Sequence, residues 1–214
     1  MGTLVPLKKR ILDIAYKNRL SHLGSYFSCL PIVDEIYSSK STDDIFILSC
    51  GHASLAQYVC LEKYEKKDAM KLFQRHGGHP HRCEEDGIHC STGSLGMGLT
   101  FAIGKALANK NKKIHCLISD GECAEGSIWE SLKFIYENNI NNIEVYVCVN
   151  GFAAYDSVDT KYLTDRLRCF LPNIQIRYTK VNEFSFLNGL NAHYHIMSES
   201  DYKSALRELD EKEI

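Results

Sequence analysis

Three acidic residues follow an apolar segment at the point where a buried strand is expected to end. In CLISDGECAEGSIWE, residues 116–130, these acids are Asp120, Glu122 and Glu125. Asn150 follows the next apolar segment in the same way, 30 residues after Asp120. A carboxylate and a side-chain amide offer the oxygen ligands that Mg²⁺ accepts, with phosphate oxygens and water completing its coordination. One interpretation is therefore a site that holds a diphosphate through a metal ion.

Gly121 fits this interpretation, because a residue without a side chain lets the backbone approach a phosphate closely. The helix predicted to follow presents the positive end of its dipole to the same anion. The alternative is an ordinary turn between a strand and a helix, in which Asp120 and Glu122 only cap the helix. The spacing alone does not separate these two interpretations.

The elements that position these residues alternate between strands and helices, a pattern typical of a parallel sheet covered on both faces. The predicted strands are 44–49, 113–119, 143–149 and a segment near 174–180. The predicted helices are 7–20, 28–38 (with Ser28 as its cap and Pro31 near its start), 53–64, 67–75, 95–109, 124–138, 160–170 and 200–212. We predict an α/β fold with a doubly wound, mostly parallel sheet. Its ligands bind beyond the carboxyl ends of the strands.

The composition is that of an ordinary globular protein. The 214 residues are 44% hydrophobic and 24% charged, with a net charge of −2, which gives no electrostatic footprint for nucleic acid or an anionic membrane. No apolar run approaches the roughly 20 residues that a membrane span requires. Nine cysteines, mostly inside apolar runs, suit buried reduced thiols in the cytoplasm better than a disulfide framework.

Several segments carry a resemblance to a known family. They are SHLGSYFSCLPIVDEIY (21–37), DIFILSCGHASLAQYVCL (44–61), GHPH (78–81), STGSLGMGLTFAIGKALA (91–108) and DGECAEGSIWE (120–130). In this order they resemble the cofactor-binding half of transketolase, over roughly residues 10–155. The Asp120-Gly121 pair followed by Asn150 is similar to the family's thiamine-diphosphate motif. AEGSIWE looks more like transketolase than like deoxyxylulose-phosphate synthase, its close relative.

The resemblance implies roles for individual residues. The implied ligands of Mg²⁺ (or Ca²⁺) are Asp120, Asn150 and the carbonyl of Phe152. The implied contacts of thiamine diphosphate are His52, Gly93, Leu95, Asp120, Gly121, Glu125 and Asn150. The implied catalytic residues are His22, His52, His79, His193 and Glu125, and the acids expected at a subunit interface are Glu125 and Glu130. Imidazoles with a pKa near neutrality suit proton transfer at the hydroxyls of a sugar.

Other interpretations remain open for some histidines. His195 is as close a match as His193 to the late active-site histidine. His22 could simply lie at the end of a helix and interact favourably with its dipole. A structural zinc site is the rival for the segment HGGHPHRCEEDGIHC, whose candidate ligands are His76, His79, His81, Cys83, His89 and Cys90.

The sequence also departs from the family pattern. Ser119 stands where the motif usually has its first glycine, so the loop has to shift if that position needs a positive φ. We treat 1–214 as a single diphosphate-binding domain, with 156–214 as a shortened C-terminal portion.

A complete transketolase carries two further domains, which nothing in this sequence resembles. The resemblance therefore implies the N-terminal subunit of a split enzyme, which moves a two-carbon ketol unit between sugar phosphates. We expect it to be active only with a separately encoded, pyrimidine-binding C-terminal subunit, in an α2β2 assembly. The alternatives are another thiamine-diphosphate-dependent synthase or lyase and a non-catalytic partner subunit.

Overall fold

The computed structural model describes residues 4–211 and contains a four-stranded parallel sheet. Its strands are β1 (Ile45–Leu48), β2 (Ile114–Ser119), β3 (Ile143–Val149) and β4 (Gln175–Tyr178), and they lie in the order β1-β2-β3-β4. All three neighbouring pairs are parallel. The predicted α/β fold is confirmed.

Helices cover both faces of the sheet. They are α1 (Val5–Lys17), α2 (Leu23–Ser39), α3 (Ser54–Glu65), α4 (Ala69–His76), α5 (Met97–Ala108), α6 (Gly126–Glu137), α7 (Thr160–Phe170), α8 (Asn191–Tyr194) and α9 (Glu199–Glu211). One hydrophobic core contains α5, α6 and α7, and the other contains the remaining helices. The last predicted helical residue, 212, lies outside the described residues.

Each strand contributes side chains to both cores. In β1, Phe46 and Leu48 pack into one core, while Ile45 and Ile47 pack into the other. Strands that are buried on both faces have continuous apolar sequences rather than alternating ones. This arrangement explains why IFIL and IHCLIS were recognisable as strands.

The start of the second helix was predicted incorrectly. The helix begins at Leu23, so that Ser28 and Pro31 lie inside it and Ser28 is not its cap. Its first eight residues, LGSYFSCL, are all buried, and a helix buried on every side has no polar face for a periodic pattern to reveal. The short helix α8 was also missed.

None of the helices within residues 4–211 is both long enough and apolar enough to cross a bilayer.

Candidate active site

The strand ends bring the predicted metal ligands together. Because β2 and β3 are hydrogen-bonded neighbours, Asp120 and Asn150 emerge side by side at the carboxyl edge of the sheet. The backbone N–H of Asp120 donates to the carbonyl of Cys148, 3.0 Å away. Asp120, Asn150 and Phe152 all line one cavity of about 270 Å³ at this edge.

The Asp120 carboxylate is held by backbone groups alone. Its Oδ2 accepts from the N–H groups of Asn150 (2.9 Å) and Gly151 (2.7 Å), and its Oδ1 accepts from that of Gly121 (3.0 Å). The residue is only 2% exposed. Since an ionised carboxylate has about four lone-pair sites, three hydrogen bonds leave roughly one available to a ligand in the cavity.

This carboxylate fits a cation. Burial raises the pKa of Asp120 to about 6, although the backbone N–H groups oppose that rise. No ion pair among residues 4–211 includes it, so its charge is buried with only backbone dipoles as compensation. A buried charge is normally paired or coordinates a metal. The donor set of a carboxylate, an amide and a backbone carbonyl therefore fits a divalent ion that carries a diphosphate.

The turn after β3 brings the other two oxygens to the same cavity. The side-chain oxygen of Asn150 accepts from the N–H of Phe152 at 2.9 Å, and Gly151 has a φ of +88°. This backbone geometry favours glycine, which explains the GF continuation after the asparagine. The Phe152 carbonyl lies 3.7 Å from the position that a Cβ of Gly121 would occupy.

Gly121 is required by close packing. A Cβ at this position would lie 3.2 Å from the Cα of Ala153, which is tighter than most real contacts. The residue opens a short 3₁₀ turn, Gly121–Ala124, and the α-helix starts only at Gly126. The cavity therefore faces this turn, and not the first turn of α6 as the sequence suggested.

Glu122 has a structural position that the sequence did not reveal. Its side chain is completely buried, and Oε1 accepts from Ser49 Oγ (2.6 Å) and from the N–H of Gly96 (2.9 Å). Its Oε2 accepts from the N–H of Ser119 at 3.0 Å. Burial raises the pKa of Glu122, whereas these hydrogen bonds lower it. One carboxylate thus ties the ends of β1 and β2 to the segment before α5.

The remaining predicted contacts differ in their placement. Glu125 is exposed and lines the cavity together with Leu95, which is 37% exposed. Gly93 is exposed, has a φ of +121° and is not among the cavity-lining residues. Glu130 lies on the exposed face of α6, in a groove shared with α5.

Four predicted histidines form a cluster beside the cavity. The ring centroid of His22 lies 4.1 Å from that of His193, 5.7 Å from that of His52 and 6.2 Å from that of His79. The rings of His52 and His193 are 5.5 Å apart. His52 and His193 also line the cavity that contains Asp120. Four separate segments of the chain thus converge on one imidazole cluster.

Hydrogen bonding defines the tautomer of His22. Its Nδ1 lies 3.0 Å from the carbonyl oxygen of His193, and its backbone N–H donates to the same oxygen at 2.8 Å. Because a carbonyl can only accept, Nδ1 carries the proton and the neutral ring offers Nε2 as a base.

The cluster favours uncharged imidazoles. Burial is the main cause of a lowered pKa for His52, to about 3, and for His193, to about 4. The pKa of His22 is lowered for the same reason, although its bond to the His193 carbonyl opposes the shift. Neutral rings at physiological pH can accept protons, as a general base must.

These shifts predict acid sensitivity. The ordinary histidine pKa is 6.5 and that of folded His52 is about 3, so the unfolded chain binds more protons at intermediate pH. Stability is therefore lost as the pH falls from about 6.5 towards 4. His52→Gln should remove about 1–2 kcal/mol of this pH dependence between pH 7 and 5, measured by urea unfolding. The exposed His81 provides the control, since His81→Gln should leave the wild-type slope unchanged.

Three alternatives from the sequence are settled by placement. His22 precedes α2 with a φ of +66° and so lies at a helix N-terminus, where the dipole does not favour a cation. His195 bonds to Asp201 at 3.0 Å, away from the cluster. Ser119 belongs to β2 and is not among the positive-φ residues within 4–211, so no shift of the loop is needed.

The fold and this site together resemble a cofactor-binding domain, and sequence comparison identifies the class. The family described as "Transketolase, thiamine diphosphate binding domain" matches residues 35–165, more than half of the chain. The chain therefore belongs to the transketolase family.

Two similar proteins are each named as one subunit of an apulose-4-phosphate transketolase. The one from Phocaeicola vulgatus is 31% identical over 156 residues, covering 64% of this chain and 55% of that protein. The one from Actinobacillus succinogenes is 28% identical over 243 aligned positions, covering 89% of this chain and 88% of that protein.

A solved structure supports the fold. Transketolase from Leishmania mexicana superposes with a TM-score of 0.74 at 18% identity. The match covers 98% of this chain but only 42% of that chain. This chain thus spans well under half of a full-length transketolase of known structure.

Proposed function

We propose that this chain is the N-terminal subunit of a split transketolase, which transfers a two-carbon ketol unit between sugar phosphates with thiamine diphosphate and Mg²⁺. The observation that carries the proposal is the joint placement of Asp120, Asn150 and Phe152 around one cavity, with the histidine cluster beside it. Family membership supports the cofactor. The phosphate-bearing substrate class is supported by the names of the two apulose-4-phosphate transketolase relatives.

The residues of this chain have distinct roles in the proposal. Asp120, Asn150 and the Phe152 carbonyl hold the metal, and Gly121 gives the diphosphate access to the backbone. When bound, thiamine diphosphate supplies a nucleophilic carbon and accepts the electrons released when a carbon–carbon bond breaks. His22, His52, His79 and His193 accept and return the protons of the substrate hydroxyls, since neutral imidazoles can serve as both base and acid. Leu95 and Glu125 contact the rest of the cofactor at the rim of the cavity.

A second polypeptide completes the site in this proposal. The apolar side chains of Met97 and Leu107 on α5 and of Phe134 on α6 are 43–50% exposed. Exposed apolar patches of this kind mark interaction sites. We assign this face to the pyrimidine-binding C-terminal subunit, in an α2β2 assembly, because two relatives are named as single subunits of a larger enzyme. All nine cysteines are free thiols and seven are buried, which favours the reducing cytoplasm as the place of action.

Reconstitution with the C-terminal subunit tests the proposal. The pair, supplied with Mg²⁺ and thiamine diphosphate, is expected to transfer a ketol unit between sugar phosphates. His52→Ala should retain cofactor binding and lower kcat by roughly 10²–10⁴-fold, the usual contribution of general acid–base catalysis.

His81→Ala is the matched control and should preserve kcat, because His81 is exposed and lies outside the imidazole cluster. Unchanged turnover in the His52 variant would remove its catalytic role. Cofactor binding without any ketol transfer would instead favour a synthase on the same scaffold. This second candidate rests on a 1-deoxy-D-xylulose-5-phosphate synthase from Fusobacterium nucleatum that is 23% identical over 189 residues.

A further inference from the structure

A second group of metal-ligand side chains lies outside the cofactor cavity. His76 ends α4, Cys83 opens a tight hairpin, and Asp86 lies in the 3₁₀ turn of that hairpin. One ligand atom from each of the three residues lies within 4.8 Å of the others. We propose that His76, Cys83 and Asp86 form a zinc site.

The hairpin fixes two of these ligands. The backbone groups of Cys83 and Ile88 exchange hydrogen bonds of 2.8 and 3.0 Å, and Asp86 N–H donates to the Cys83 carbonyl at 3.0 Å. Gly87 closes the turn with a φ of +78°, a conformation that favours glycine. Cysteine and aspartate thus project from a rigid six-residue turn, as the ligands of small zinc modules do.

The distances suit tetrahedral zinc. The Cys83 Sγ lies 3.5 Å from the Asp86 Oδ2, and His76 Nε2 lies 2.7 Å from the same oxygen. Zinc–ligand bonds of 2.0–2.3 Å place neighbouring ligand atoms roughly 3.3–3.6 Å apart. The sulfur–oxygen distance already agrees. The nitrogen–oxygen distance is that of a hydrogen bond and has to open by about 0.6 Å on metal binding.

The environment is compatible with a bound ion. The His76 side chain is 6% exposed and that of Asp86 is 19% exposed, so three ligands enclose the ion and leave its fourth position to water. Arg75 also contacts Asp86 Oδ2 at 2.8 Å, but its side chain is 60% exposed and can move to solvent. Thiolate and imidazole ligands select zinc over Mg²⁺, which prefers oxygen.

Of the six zinc ligands suggested by the sequence, only two belong to this group. His79 joins the imidazole cluster, His81 is exposed, and His89 and Cys90 lie beyond the hairpin. Asp86 replaces them as the third ligand. The segment 77–82 links His76 to Cys83 and carries His79, so a zinc ion would fix both ends of that segment.

Cobalt substitution tests this site directly. The full chain, stripped of metal by a chelator, should bind one Co²⁺ with a sulfur-to-metal charge-transfer band, because Cys83 is the ligand. Cobalt bound at the imidazole cluster or at Asp120 lacks such a band. Cys83→Ser should abolish the band, whereas Cys169→Ser, which changes an exposed thiol, should preserve it.

Zinc affinity gives a second measurement. Loss of a supporting residue already costs roughly 10–100-fold in metal affinity, so His76→Gln, which removes a direct ligand, should cost at least about 100-fold. Zinc at a hundredfold excess over its Kd should raise Tm by roughly 5–10 °C in the wild type and in His81→Gln, but not in His76→Gln.

Equal metal-free Tm values will show that the variants are folded. A chain that binds cobalt without the sulfur band, or a band that persists in Cys83→Ser, overturns the proposal.

Discussion

Asp120→Asn is expected to reduce Mg²⁺-dependent binding of thiamine diphosphate by at least about 100-fold, since it removes a direct metal ligand. The substitution keeps the size of the side chain and deletes its charge. It also sets an amide N–H₂ group against at least one of the backbone N–H groups that the carboxylate now accepts. Isothermal titration of the subunit pair with cofactor, with and without Mg²⁺, measures the loss.

Asp156→Asn is the matched control for this prediction. Asp156 lines the same cavity, but it is exposed and its side chain accepts only from the neighbouring Ser157. Its replacement should change the affinity by less than about fivefold, the range expected for a surface charge. Undiminished Mg²⁺-dependent binding in Asp120→Asn would contradict the assignment of the metal site.

Glu122→Ala is expected to have the largest effect on stability, a loss of about 3–5 kcal/mol. It leaves three donors without an acceptor, namely Ser49 Oγ and the N–H groups of Gly96 and Ser119. Each unsatisfied buried donor costs roughly 1–3 kcal/mol, and the lost side chain adds a cavity. Release of the buried charge offsets only part of this cost. Urea unfolding at neutral pH measures the difference.

Two other variants frame this result. Glu122→Gln keeps the volume and one acceptor oxygen, so its loss should be intermediate. Glu130→Ala removes an exposed acid from α6 and should change the free energy of unfolding by less than about 0.5 kcal/mol. If Glu122→Ala costs no more than Glu130→Ala, the carboxylate does not tie the strand ends together.

Local sequence patterns were sufficient for most of the fold. The buried strands have continuous apolar sequences, and the amphipathic helices α6 and α7 lie within about two residues of their predicted bounds. Parallel pairing then follows from the alternation of strands and helices. Asp120 and Asn150 were expected at neighbouring strand ends, and the hydrogen-bonded pairing of β2 with β3 places them there.

The features that the sequence did not reveal depend on long-range contacts. Glu122 had the pattern of a capping acid, because its partners Ser49 and Gly96 are distant in sequence. The choice between His193 and His195 depended on which ring reaches His22, and that contact spans 171 positions. Such contacts leave no local periodicity from which they could be inferred.

The bond between His22 and the His193 carbonyl also has a consequence for biosynthesis. Nearly the whole polypeptide must leave the ribosome before the imidazole cluster can close, even though most residues of the sheet and of the Asp120 turn emerge earlier. Nascent chains fold from the N-terminus as they emerge. A chain that ends before residue 193 would therefore retain the turn that binds the metal and lack the complete set of proton-transfer groups, so that cofactor recognition and turnover would be separated by the length of the message translated.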